Sequence, residues 1–197
     1  MSVELLIGNE LGTKAYLPAV KEGIEWTTER KNTPGKLSFE VLKDDALDFS
    51  EGSAVRMKEN GDEVFFGFVF KQQRAKEQII TVTAYDQLRY LKNKDTIVYE
   101  NKTADQFLRM IAADYALNVG ALESTNYVIE SRVEENTSLF EMVQNALDLT
   151  LQNTGEMFVL YDDFGKLTLK HLSSMAVGKP GAYFMVDEET CETFDYT

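Results

Sequence analysis

The dipeptide Asn60-Gly61 stands between two runs of alternating character, and that arrangement constrains the chain more than any other feature. Both residues tolerate positive φ, so they can close a two-residue hairpin whose twist matches its flanking strands. Upstream, Ala54 to Lys58 alternates through Val55 and Met57. Downstream, Glu63 to Lys71 puts Val64, Phe66, Phe68 and Phe70 on one face and Phe65, Gly67 and Val69 on the other. Apolar residues on both faces predict a strand covered on both sides. Gly67, set among aromatics, predicts a bulge or a close backbone approach.

Further strands follow from the same period of two. Val3 to Ile7 is a short apolar run. Lys36 to Leu42 carries Leu37, Phe39 and Val41 on one face, and Gln78 to Ala84 carries Ile80, Val82 and Ala84. Trp26, the one tryptophan, lies in a strand-like run, Gly23 to Arg30, that precedes the turn Pro34-Gly35. It is expected to pack in a core or an interface. Many short strands separated by turns predict a small barrel or sandwich.

The period changes at Thr103. Thr103 to Gln106 and Ser138 to Glu141 both have the Ser/Thr-x-x-Glu/Gln form of a capping box. After the first, Phe107, Leu108, Ile111, Ala112 and Tyr115 recur at helical spacing, with Gly120 as the stop. After the second, Leu139, Met142, Val143, Ala146 and Leu147 do so, with Gly155 as the stop. Tyr127 to Glu130 between them is read as a strand. Past Gly155, Met157 to Tyr161 and Lys166 to Lys170 flank Asp162 to Gly165, a hairpin. Lys179 to Gly181 is a further turn. The extended run from Tyr183 onward does not resemble a finished terminus, so a truncated piece is expected.

Chemistry is sparse. His171 and Cys191 are the only residues of their types, no His/Cys set has zinc spacing, and no glycine pattern suits a phosphate loop. Asp163 to Gly165 matches the metal-binding tripeptide of kinases but lacks every companion motif. Asp162-Asp163 and Glu188-Glu189 are adjacent carboxylates, which a strand sends to opposite faces. No catalytic, cofactor-binding or metal-binding residue is therefore assigned, and the chain is read as not an enzyme. With 20 basic against 33 acidic residues, the net charge of -13 argues against gripping nucleic acid. A single cysteine fits a reducing compartment. The first residues lack the basic-then-apolar pattern of a signal peptide.

Three segments carry a resemblance: Glu63 to Lys71 (EVFFGFVFK), Ile79 to Leu91 (IITVTAYDQLRYL) and Tyr99 to Ala104 (YENKTA). Together with Ser138 to Asp148 and Asp187 to Thr197, they resemble the PBSX-type prophage tail hub family. That family is related to late control gene D proteins and to the baseplate hubs of contractile phages. The resemblance implies an α+β, β-rich fold: a tail-tube-like β-barrel over 1–98, then a mixed α/β insertion over 99–172. Helices are placed near 104–117 and 138–152, and residues 173–197 enter an incomplete second barrel. It also implies a homotrimeric ring joining a spike protein to the tail tube protein beside other baseplate proteins. The chain would then reside in a virion or tail-like particle made in the bacterial host cytoplasm. The acidic balance suits a lumen wall that DNA or ejected protein passes without sticking. The rival reading is a LysM-like peptidoglycan-binding module, based on the capped helix within Thr103 to Gly120. A hydrolase would instead require a cleft with convergent carboxylates of perturbed pKa.

Overall fold

The computed structural model describes residues 2–9, 11–76 and 78–176. Its first half is a seven-stranded antiparallel sheet. The strands are β1 (Val3–Gly8), β2 (Ala15–Tyr16), β3 (Glu25–Thr27), β4 (Lys36–Leu42), β5 (Ala54–Glu59), β6 (Asp62–Lys76) and β7 (Ile79–Tyr85). They lie in the order β2-β1-β5-β6-β7-β4-β3. The ends of that order, β2 and β3, are not paired with each other among the described residues, so hydrogen bonding does not close the barrel.

Asn60 and Gly61 take φ of 50° and 93°, as the hairpin demands. β6 is the spine. Its first half pairs with β5 and its second with β7, and the register shifts between Val69 and Lys71. Gly67 sits where the two partners meet. A Cβ there would fall 2.3 Å from the Tyr85 carbonyl oxygen, so close approach is the reason for glycine. The inward faces follow the alternation: Ile7, Leu37, Phe39, Val41, Val55, Phe65, Val69 and Val82 form one buried cluster. Each contributes roughly 1.5–3 kcal/mol by leaving water. The other face of β6 is only half-covered. Phe66 meets Phe68 and Phe164 at ring distances of 5.6 and 5.8 Å, while Phe70 remains 36% exposed.

A 3-10 helix, Gln87–Lys92, leads into the second half. There follow β8 (Lys94–Lys102), α1 (Ala104–Asp114), β9 (Val119–Leu122), β10 (Ile129–Ser138), α2 (Leu139–Thr154), β11 (Phe158–Asp162) and β12 (Leu167–His171). β8 and β10 form an antiparallel ribbon, and β11-β12-β9 form a three-stranded sheet. Both sheets and both helices enclose a second cluster that includes Tyr99, Phe107, Leu108, Ile111, Leu139, Met142, Leu167 and Leu169. Tyr99 and Phe107 stack with ring centroids 3.9 Å apart. Leu88 and Leu91 of the 3-10 helix belong to this second cluster, so the two cores part between Ala84 and Leu88. β8 runs unbroken through residues 98 and 99.

Several sequence readings need correction. Gly120 does not stop α1. The helix ends at Asp114, where Ala116 takes φ of 52° and the Leu117 amide donates back to the Ala112 carbonyl at 2.8 Å. Gly120 lies in β9 instead, where a Cβ would meet the Thr168 hydroxyl at 2.8 Å. The strand read at Tyr127 to Glu130 starts at Ile129 and runs on to Ser138. The 3-10 helix and β8 had no reading from pattern at all. Their apolar residues are too few and too irregularly spaced to mark a period. The second helix agrees with expectation, with Gly155 left-handed at φ 75°. The Lys179 turn, the run from Tyr183, Cys191 and Glu188-Glu189 lie outside the described residues.

The two capping boxes differ. At α2, Ser138 Oγ accepts from the Glu141 amide at 3.3 Å, and Glu141 Oε2 accepts from the Ser138 amide at 3.1 Å. At α1, Gln106 accepts from the Thr103 amide at 3.2 Å, but the buried Thr103 hydroxyl has no hydrogen bond. Thr125 substitutes for it: its Oγ1 accepts from the Ala104 amide at 3.0 Å. Its own amide and hydroxyl donate to Asp105 Oδ1 at 2.9 and 3.0 Å.

Candidate functional site

The two halves meet around Asp86. It follows β7 directly and caps the 3-10 helix, with Oδ1 accepting from the Leu88 amide at 3.0 Å. Its Oδ2 accepts from the Gly35 amide at 2.7 Å, and its own amide donates to the Gly35 carbonyl at 3.1 Å. A Cβ on Gly35 would sit 2.5 Å from that carboxylate oxygen, so glycine is required for the approach. Next to it, the Gln87 side chain docks on the Asn118 backbone, donating to its carbonyl and accepting from its amide at 3.0 Å each. This pair ties the 3-10 helix to the entry of β9.

Asp162, at the end of β11, is the second buried carboxylate here. Its Oδ1 accepts from the Gly165 amide at 2.6 Å and closes the hairpin, where Phe164 and Gly165 take φ of 47° and 82°. Its Oδ2 is buried without a hydrogen bond. Burial first, and the Asp162 charge second, push Asp86 up to about 7 against the pull of the Gly35 and Leu88 amides. Burial likewise raises Asp162 to about 6, with Asp163 adding to it and the Gly165 amide and Gln87 opposing.

Both carboxylates line a groove of about 590 Å³ between the two halves. Trp26, Phe65, Tyr161 and Phe164 supply its aromatic walls. Glu29, Glu59, Glu63 and Asp163 join Asp86 and Asp162, so six carboxyl side chains face one cation, Arg30. The hairpin read in Asp162 to Gly165 is present, and its Phe164 packs toward Phe66 of β6 rather than serving a metal. Trp26 is 48% exposed on β3, so of the two expected places, a core or an interface, it is not in the core. His171 ends β12, with Nδ1 accepting from the Ser173 amide at 3.2 Å. Among the described residues no group of three His, Cys, Asp or Glu side chains is arranged to hold a metal ion. None of their helices is long and apolar enough to cross a membrane.

Asp86 and the groove escaped the reading of the sequence. The local signal was present, because an aspartate directly after a strand and two residues before Leu88 suits a helix cap. Its link to Gly35, 51 residues away, was not visible.

The cleft thus carries the perturbed carboxylates that a hydrolase would need. Both Asp86 oxygens accept backbone amides, which fixes the junction.

The fold built on this junction is that of prophage tail proteins. It matches the 43 kDa tail protein of prophage MuSo2 from Shewanella oneidensis with a TM-score of 0.66 at 18% identity, over 86% of this chain and 54% of that one. A chain of the Francisella PdpA-VgrG complex matches with a TM-score of 0.52 at 12% identity, over 86% of this chain and 28% of that one. The chain belongs to the YQBQ-like family, whose model matches residues 24–197. It is 34% identical over 161 residues to YqbQ of Bacillus subtilis (strain 168). It is 33% identical over the same length to the phage-like element PBSX protein XkdQ of that strain. Each alignment covers 79% of this chain and 49% of the relative, so the chain spans about half the length of the curated relatives it matches.

Proposed function

We propose that this chain is a structural component of a phage-like tail and forms part of a baseplate hub. In this reading, residues 1–98 are the tube-like barrel, 99–172 the insertion and 173–197 the entry to a second barrel. Three copies of the full-length protein form a ring between spike and tail tube and template the tube's first layer. Neither half has a catalytic role, and no cofactor or metal is required.

One observation carries the reading beyond the family match. β1 pairs with β5 on one side, and on the other β2 meets only Ile7 and Gly8, so the outer edge of β1 from Val3 to Leu6 has no strand beside it among the described residues. An open edge of a half-buried sheet is a template for a neighbouring strand. In a closed ring, identical edges meet complementary ones around a symmetry axis. The peptidoglycan-binding rival gains no support here. Phe107, Leu108 and Ile111 of α1 are wholly buried in the second core and present no binding face.

The test is the oligomeric mass of the natural full-length protein by sedimentation equilibrium. A trimer is expected. A strict monomer at high concentration would refute the hub assignment.

A further inference from the structure

The groove beside Asp86 has a property that a junction between two packed halves does not require: one of its walls is a sheet edge with no strand beside it among the described residues. β11 is the outer strand of the order β11-β12-β9, and among the described residues its backbone pairs only with β12. Four consecutive β11 residues, Val159 to Asp162, line the groove, so the free edge of the strand faces into it. Opposite stand Trp26 of β3 and the β5–β6 hairpin, represented by Glu59 and Glu63. An extended peptide entering here meets free backbone groups along one side and an aromatic surface on the other.

Charge selects the sequence of that peptide. Besides Asp86 and Asp162, which burial moves toward the neutral form, Glu29, Glu59, Glu63 and Asp163 line the groove, and the only cation among the lining residues is Arg30. Lys58 stands 3.3 Å from Glu63 and offsets one of them in part. The chain's own terminal segment is a poor match, because residues 178–197 hold Lys179 against Asp187, Glu188, Glu189, Glu192 and Asp195.

We propose that the groove is a docking site for an extended, lysine- or arginine-bearing segment of a partner protein. The segment adds as a strand to the free edge of β11, and its basic side chains face Glu59 and Glu63. This holds whether or not the full-length protein forms a ring.

Trp26 is the only tryptophan, so its emission reports occupancy of the groove directly. The 197-residue chain is titrated at physiological salt with a synthetic octapeptide alternating lysine and valine. A saturable shift in Trp26 emission is expected. Binding should weaken at least tenfold with a glutamate-valine octapeptide, with the same lysine peptide N-methylated at alternate amides, and with the Glu63→Lys variant. Circular dichroism checks that this variant folds, and Glu59→Lys replaces it if it does not. No saturable shift, or equal binding of the glutamate peptide, overturns the proposal. Unchanged binding of the N-methylated peptide overturns the strand addition. Two results would name other occupants and equally overturn it. One is tenfold tighter peptide binding by a chain ending at Ala176, which points to the chain's own segment. The other is self-association that Glu63→Lys abolishes, which points to a second copy.

Discussion

Asp86 shows how one side chain can fix two distant segments. Removing its carboxylate in Asp86→Ala leaves the Gly35 and Leu88 amides without their acceptor in a buried place. That should cost about 2–6 kcal/mol, since buried unsatisfied groups cost about 1–3 kcal/mol each. Urea unfolding of the variant measures it. Asp86 and Asp162 also set a pH dependence of definite sign. Both carboxyls lie above their ordinary value of 3.8 in the folded protein, at about 7 and about 6. The folded state therefore holds more protons than the unfolded one between these limits. Their contribution to stability is fully present below about pH 4 and is lost as pH rises through 6 and 7. Asp86→Asn should flatten the fall in unfolding free energy between pH 4 and 7. An undiminished slope would show that other groups cause it. Gly35→Ala acts on the same contact from the other side and should destabilise by roughly 1–3 kcal/mol, the usual cost of overpacking.

At the scale of the element, the two helices carry the same sequence signature and solve their first turns differently. Ser138→Ala removes a side-chain acceptor and should cost about 1 kcal/mol. Thr103→Ala should cost less, because its hydroxyl makes no hydrogen bond. Thr125→Val should cost more than Thr103→Ala, because Thr125 caps α1 and answers Asp105. Thermal unfolding of the three variants gives the ranking Thr125 above Thr103, with Ser138 as the reference for an ordinary cap. The box at Thr103 was legible as a helix start, yet its chemistry was not. The acceptor comes from a loop 21 residues later that no local window includes.

For the whole molecule, two cores joined through one polar junction define the architecture. The loop before β4 crosses to the second half, where Lys31 stands 3.8 Å from Asp148 of α2. That pair is exposed and is worth little by itself. The junction rests instead on Asp86 and on the docked amide of Gln87. Gln87→Ala should loosen the two halves from each other more than it unfolds either. Faster hydrogen exchange at Asn118 and Leu88, with unchanged exchange at Val82 and Ile111, would show this.

Much of this protein follows from the order of its residues alone. The alternation of Leu37, Phe39 and Val41 and of Ile80, Val82 and Ala84 names strand and buried face together, because side chains on a strand alternate strictly. Asn60-Gly61 fixes a hairpin, and Gly155 a helix end, because few residues adopt positive φ without strain. Those are local properties, so a local pattern records them. The groove is of another kind. Trp26, Glu63, Asp86 and Tyr161 come from four separate elements, and only packing brings them to one place. Asp86 reads as an ordinary cap until Gly35 and Asp162 are placed beside it, and its charge becomes costly only through that burial. Sequence determined most of the strands and the starts of both α-helices. Tertiary structure alone decided which unpaired edge and which carboxylates would share a surface, because solvation and proximity depend on neighbours distant in the chain.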